Sequence, residues 1–300
     1  MHQITRLLTS FKSSLEDNRD AGLAQTKVPG VTFFWDEKSS ERSPLLYDTG
    51  LVIVGQGTKV GYFGKHRFVS DTDACLVLGV PVPFECEAFG TQDEPLLGIR
   101  IDLDLVVLNR LVLRCKDRLE LEKSGAHFGV GNVPVQGQLK AAITRLLEFL
   151  PNSMDAEILG ESAVDEVIYR VLQSDAGQLL YSLTQHHTTH VKIAQSLERI
   201  HAGYHEAINI EELARSCSMS TSSFYRAFKE VTGETPLQYL KKVRLIQAKS
   251  MLVFDGMGVE EVAYEVGYSS ASQFSREFKR YFNVPPSEAE SLPYNSTFLD

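Results

Sequence analysis

Two stretches of this chain are nearly the same helix written twice. Residues 222–233 read SSFYRAFKEVTG and residues 272–283 read SQFSREFKRYFN; at an offset of 50 the pairs Ser222/Ser272, Phe224/Phe274, Arg226/Arg276, Phe228/Phe278 and Lys229/Lys279 fall in register. Each stretch closes a longer matching block, INIEELARSCSMSTSSFYRAFKEVTGETP (208–236) against GVEEVAYEVGYSSASQFSREFKRYFNVPP (258–286). Both blocks open on Glu-Glu, carry a small residue in a first amphipathic run (Ala214, Ala263), break, and restart at a serine (Ser220, Ser270). A serine hydroxyl at such a break accepts a hydrogen bond from an orphan amide of the next helix. Each block therefore reads as helix, tight turn, helix, and Gln273 three residues after Ser270 predicts a reciprocal capping box.

The second helix of each block has two faces. Phe224, Phe228 and Val231 share one side, as do Phe274, Phe278 and the Tyr281/Phe282 pair; the opposite sides carry Ser222, Tyr225, Arg226 and Lys229, and Ser272, Ser275, Arg276 and Lys279. Small residues permit close approach to a DNA groove, Arg can fork onto guanine or a phosphate, and Lys neutralises backbone charge. Between the blocks Gly233 predicts a helix stop, Thr235 and Gln238 a second capping box, and Pro236 the first helical position. The helix that follows reads LQYLKKVRLIQAKSMLVF as far as Asp255, about 20 residues or about 30 Å. Two helix-turn-helix units on one face of B-DNA need a separation of about 34 Å. Helix pairs also build solenoids, but those need about three copies and only two are present.

The first two thirds of the chain differ in texture. From Val31 to Asp104 short apolar or alternating runs are broken by Gly, Pro and Asp, which predicts a small antiparallel barrel or sandwich. Strand parity puts Tyr62, His66 and Phe68 on one face, taken as the interior, and Lys65 and Arg67 on the other. From Leu105 the period becomes helical, with stripes at Leu105/Leu108/Leu111/Val112, at Leu139/Ile143/Leu146/Leu147/Leu150 and at Ile158/Val164/Val167/Ile168/Val171/Leu172, punctuated by Pro134 and Pro151. These helices offer more apolar face than one barrel can cover, which suggests a subunit contact. Ile4, Leu7, Leu8, Phe11 and Leu15 predict an amphipathic helix at the N-terminus, without the apolar block of a signal peptide.

Composition excludes several classes. At 43% hydrophobic and 23% charged residues the chain is that of a soluble globular protein, and its apolar runs are strand-sized. The four scattered cysteines form no CxxC pair, so neither a disulfide framework nor a zinc knuckle is indicated and a reduced, cytoplasmic setting is expected. The net charge of −9 is uneven: residues 1–190 hold 18 Lys and Arg against 25 Asp and Glu, and residues 191–290 hold 12 against 13. The acidity belongs mostly to the front part.

Some residues invite other chemistry. His186/His190 and His201/His205 have the i,i+4 spacing of metal ligands, but no carboxylate or thiol pattern completes a set, so no metal and no cofactor are expected. A non-haem iron site would need two histidines and a carboxylate, and the β region holds only His66, read as an interior histidine. Cys75 and Cys86 are either sensing thiols or small buried hydrophobes. Trp35, Tyr62, Phe68 and Phe84 either line a ligand pocket or fill the core. An enzyme fused to a DNA-binding module is the alternative class; it would need a nucleophile with activating partners, and no such cluster is visible.

Residues 191–290 resemble the DNA-binding domain of the AraC/XylS family of bacterial transcription regulators, through LARSCSMSTSSFYRAFKEVTGETPLQYL, RLIQAKSML and EVAYEVGYSSASQFSREFKRYFNVPPSE. The front part is similar to that family's N-terminal domain through ILGESAVDEVIYRVLQSDAGQLLYSL (158–183) and the strands before it. The resemblance implies an α+β chain: a cupin-like β-barrel with accompanying helices over residues 1–185, and an all-α double helix-turn-helix domain with a linker helix over 186–300. It implies binding of promoter double-stranded DNA, activation together with RNA polymerase, and a front domain that dimerises as a homodimer, senses a small-molecule effector, or both. The family's base-facing positions fall on Ser222, Tyr225 and Arg226 in the first copy, and on Ala271, Ser272, Gln273, Ser275 and Arg276 in the second.

Overall fold

In the computed structural model, residues 3–15, 17–63, 66–115, 129–185, 189–253 and 255–292 are described. An amphipathic helix α1 (Gln3–Ser14) precedes nine strands, β1 (Ala21–Gln25), β2 (Val31–Asp36), β3 (Ser40–Tyr47), β4 (Gly50–Gln56), β5 (Thr58–Phe63), β6 (His66–Ser70), β7 (Ala74–Leu78), β8 (Val82–Phe89) and β9 (Leu96–Asp102). Helix α2 (Leu105–Cys115) and strand β10 (Val130–Pro134) follow. The strands pair antiparallel into two sheets, β1-β2-β9-β4-β7-β10 and β3-β8-β5-β6. The front part is thus a sandwich of two facing sheets, where the strand pattern suggested a small barrel.

Helices α3 (Gly137–Phe149), α4 (Ser153–Leu172) and α5 (Gly177–Leu183) complete the front layer. Asn152 caps α4 by accepting from the Met154 and Asp155 amides, right after the break at Pro151. The larger sheet is buried on both faces. Its Phe33, Trp35, Leu51, Ile53, Cys75, Val77 and Ile99 pack against α1, α3 and α4, while Phe34, Val52, Val54, Leu76 and Leu78 face the smaller sheet. The stripe expected on α4 is only partly right. Val167, Ile168, Val171 and Leu172 are buried, but Ile158 points outward and Ala156, Gly160 and Ala163 supply the close contact in its place.

The rest of the chain is helical: α6 (Thr189–Ala202), α7 (Ile210–Ser216), α8 (Thr221–Thr232), α9 (Pro236–Val253), α10 (Val259–Glu265), α11 (Ala271–Phe282) and a short 3-10 helix over Pro286–Ser291. Its apolar core is continuous with the interior of the sandwich. The Tyr239 hydroxyl on α9 donates to the Pro81 carbonyl at 2.8 Å, and the Phe63 ring packs beside Gly233.

The two repeats differ by one residue in the turn. The Met219 amide bonds the Ala214 carbonyl, and the Tyr268 amide bonds the Ala263 carbonyl, both at 2.9 Å. The first helices therefore align at an offset of 49 and the second at 50. At the matching turn position Ser218 has φ 55° and Gly267 φ 86°. A left-handed residue with a Cβ is strained, so Ser218→Gly is expected to stabilise the chain by about 0.5 kcal/mol. Gly267→Ala is expected to cost more than about 1 kcal/mol, because a Cβ there would overlap the His205 carbonyl oxygen. Urea denaturation of both variants checks the pair.

Candidate nucleic-acid interface

Helices α8 and α11 are built alike. Ser220 Oγ accepts from the Ser223 amide and Ser270 Oγ from the Gln273 amide, each at 3.3 Å. Inward, Phe224 and Phe228 sit with ring centroids 5.5 Å apart and Phe274 and Phe278 5.6 Å apart, all four fully buried. At the far ends the chain turns left-handed, at Gly233 (φ 73°) and at Asn283 (φ 64°). Glycine and asparagine are the residues that tolerate this conformation. The same anchor and the same two ends give each helix the same outward face.

That outward face holds all ten residues singled out from the repeat. Ser222, Arg226, Lys229, Ser272, Gln273, Arg276 and Lys279 are exposed, and Tyr225, Ala271 and Ser275 are partly so. Arg226 and Arg276 could instead have paired with a neighbouring glutamate. Among the described residues, no ion pair includes Arg226, Lys229, Arg276 or Lys279. Glu277, next to Arg276, is held by Lys241 at 2.7 Å and by the Tyr268 hydroxyl at 2.9 Å. The four cations are left facing solvent.

The two capping boxes differ. That of α9 closes in both directions, Thr235 amide to Gln238 Oε1 at 3.1 Å and Gln238 amide to Thr235 Oγ1 at 3.4 Å. In the other, the Gln273 amide donates to Ser270 Oγ at 3.3 Å, and among the described residues no return bond from the Ser270 amide to the Gln273 side chain forms. Helix α9 runs 18 residues, which corresponds to about 27 Å.

One structural residue escaped the sequence reading. Arg244 sits midway along α9 and donates Nε to the Tyr204 carbonyl (2.7 Å), Nη1 to Gly267 (3.0 Å) and Nη2 to Glu206 (2.8 Å). It ties the end of α6 to the turn of the second unit. Its placement between buried Val243 and buried Leu245 and Ile246 was the available signal.

The proposed ligand residues do not form one pocket. Trp35 lies on the helix side of the larger sheet, stacked on Phe33 and donating Nε1 to the Arg19 carbonyl at 2.9 Å. Cys75 faces the same layer, and burial pushes its thiol up to about 12, which disfavours a thiolate sensor. Phe63 pairs with His66 and Gly61 with Phe68, so Tyr62 is on the opposite face, where its hydroxyl donates to Glu87 at 2.8 Å. Lys65 lies outside the described residues. His66 is exposed rather than interior, and Phe68 is half-buried. Only Phe84 and Cys86 are fully buried between the sheets, where Phe84 stacks on Tyr47 at 4.9 Å.

Strand parity carries Lys59 inward in place of Tyr62: its Nζ donates to the Tyr47 hydroxyl at 2.7 Å and lies 4.7 Å from the Phe34 ring. Burial lowers the Lys59 pKa and raises that of Cys86. Of the histidine pairs, His186 lies outside the described residues. His201 Nε2 is 2.7 Å from the Tyr239 hydroxyl, and His205 Nε2 approaches Glu206 at 3.7 Å.

Two helix-turn-helix units joined by one helix, with their polar faces outward, under a β-sandwich and helices, define a transcription regulator with a DNA-binding domain. Residues 27–179 match the model of the AraC-type transcriptional regulator N-terminus, and residues 213–291 match that of a helix-turn-helix domain. The chain belongs to the AraC-type transcriptional regulators.

Relatives agree with this. The transcriptional regulator AlkR of Acinetobacter baylyi is 38% identical over 97 residues, 32% of each chain, so the match spans about a third of AlkR's length. The transcriptional activator RhaS of Yersinia pestis is 28% identical over 63% of this chain and 71% of its own. Among solved structures, ToxT of Vibrio cholerae with an unsaturated fatty acid bound shares the fold. It covers 95% of this chain and 100% of ToxT, at a TM-score of 0.59 and 12% identity. No helix among the described residues is long and apolar enough to cross a membrane.

Proposed function

We propose that the chain is a cytoplasmic, non-enzymatic activator that lays α8 and α11 into adjacent major grooves of promoter DNA and works with RNA polymerase. The observation that carries this is the outward face common to both helices, with Arg226, Lys229, Arg276 and Lys279 outside every described ion pair. The helical unit takes residues 186–300 and the sensing and dimerising unit residues 1–185. The activator reading is supported by the similarity to RhaS, and an apolar effector by the fatty acid held in the ToxT fold.

Fluorescence anisotropy on the chain's own upstream DNA and on a scrambled duplex, across a salt series, tests the reading. A preference of about a thousandfold or more with a steep salt slope is expected. Equal binding to both duplexes would count against it. In the same assay Lys229→Ala is expected to weaken both duplexes alike and to reduce the salt slope by about 1. An unaltered slope would remove Lys229 from the phosphate contacts.

For the homodimer, the face of α2 and α4 is the best fit. Val106 and Leu113 on α2 and Met154 and Ile158 on α4 are 68–77% exposed. On α2 Arg110 is paired with Asp165 of the same chain at 2.6 Å, which leaves Arg114, while the first half of α4 carries Asp155, Glu157 and Glu161. A two-fold axis between copies would set Arg114 of one copy toward the acidic first half of α4 in the other. Ile158→Glu is expected to give a monomer by light scattering, with the thermal midpoint of the chain retained; a dimer that survives would place the contact elsewhere.

A further inference from the structure

The sandwich and the helical unit enclose a cavity of about 230 Å³ that the DNA-binding face does not use. One wall is the end of the sandwich, with Thr49, Pro81 and Leu103. The opposite wall is α6, with Ala194, Gln195 and Glu198; Asn109 of α2 closes one side. An apolar cavity of about 150 Å³ holds benzene, so this one has room for a substituted six-membered ring.

The position matters as much as the size. Tyr239 is fully buried and its single hydroxyl proton goes to the Pro81 carbonyl. His201, 2.7 Å away, must therefore carry its proton on Nε2 and donate to the same oxygen. Burial draws the His201 pKa down to about 4, in keeping with a neutral ring. The chain of hydrogen bonds runs from α6 through α9 to Pro81. Both of its ends, α6 and Pro81, are walls of the cavity. Helix α6 also accepts, at the Lys192 carbonyl, a hydrogen bond from the Cys217 thiol in the turn of the first helix-turn-helix unit (3.1 Å). A molecule between Pro81 and α6 touches the elements that seat the DNA-binding unit on the sandwich.

The walls also select by charge. Glu198 is the one charged side chain among the lining residues. Asn109 spends its amide on the Leu105 carbonyl, which leaves its oxygen to accept. The wall therefore offers a hydrogen-bond acceptor at Asn109 and one negative side chain, Glu198, around an apolar floor.

We infer that this cavity binds a compact apolar molecule that bears a hydrogen-bond donor and no negative charge, an amine or an alcohol, and that its occupancy changes DNA affinity through Tyr239 and His201. The inference rests on the regulator reading, and it sets this chain's effector apart from a carboxylate such as the fatty acid in ToxT.

Thermal shift and calorimetry on the full chain, with cyclohexylamine, cyclohexylmethanol and cyclohexanecarboxylate as probes, test it alongside the DNA assay. The amine and the alcohol are expected to raise the midpoint and alter affinity for upstream DNA, and the carboxylate to do neither. Glu198→Gln is expected to weaken the amine about fivefold and leave the alcohol unchanged, the size of a partly exposed charge contact. Ala194→Leu, which fills the cavity, abolishes both, while the size-conserving Ala194→Ser retains them. Tyr239→Phe keeps probe binding and loses its effect on DNA.

Equal binding of the carboxylate, or amine binding that survives Ala194→Leu, would overturn the assignment. So would silence from all three probes in samples that still bind DNA specifically, a result that leaves the regulator reading standing. Probe binding in a chain that never prefers its upstream DNA would sink the regulator reading instead, and with it the proposed coupling.

Discussion

The double variant Arg226→Ala/Arg276→Ala is expected to lose about 2–6 kcal/mol of specific DNA binding, from about 1–3 kcal/mol for each forked Arg contact to a base. Both side chains are exposed and outside the described ion pairs, so neither substitution opens the core. The thermal midpoint should stay within a degree or two of the parent, because exposed positions away from any network change stability by about 0.5 kcal/mol or less. Binding to scrambled DNA should fall far less, since Lys229 and Lys279 still face the backbone. What is read is the ratio of specific to random affinity by anisotropy at fixed salt. A ratio unchanged while both affinities drop would assign the two arginines to phosphate, and base discrimination would then rest on Tyr225 and the serines.

The parts of the molecule that could be read in the sequence are those where local chemistry and global fold ask for the same residue. Ser220, Ser270, Thr235 with Gln238, and Gly233 cap or end their helices where the text places them, because a helix terminus leaves orphan groups that only a few residue types satisfy. The paired phenylalanines of α8 and α11 likewise had one possible inward side.

Where burial comes from two directions, sequence parity stops being informative. The larger sheet is covered on one face by helices and on the other by the smaller sheet, so β2 and β4 are buried at nearly every position. Nothing in VTFFWD says which face looks into the sandwich, and Trp35 and Cys75 turned out to look toward the helices. Tyr62 failed for a different reason. The pairing of Phe63 with His66 carries Tyr62 to the far face, and this depends on the pairing across the hairpin rather than on composition. The same parity brings Lys59 inside, where it is 8% exposed. Asn283 in the left-handed position was hidden because the first copy uses glycine there.

Arg244→Ala should produce the largest loss of stability among these variants, about 3–4 kcal/mol. A hydrogen bond from a charged donor contributes about 1.5–3 kcal/mol, and Arg244 makes three to backbone carbonyls, but the three share one side chain and one end is solvent-exposed. The sum is therefore smaller than three independent bonds, yet larger than any single one. Arg244→Lys should recover only part of it, because an ammonium on a flexible stem cannot address three divergent carbonyls as a planar fork does.

The distinctive consequence concerns function. Gly267 forms the left-handed turn between α10 and α11, and its carbonyl is one of the three partners. Without Arg244 that turn keeps only its link to α9 through Tyr268, Glu277 and Lys241, so the angle of the second recognition helix to the first is held less firmly. Specific DNA binding should fall even well below the melting midpoint, while random binding, which needs only the cations, should persist. Retained specificity in a destabilised variant would show that α9 packing through Tyr239, Val243 and Ile246, together with the Lys241–Glu277 pair, is sufficient to fix the separation of the two helices.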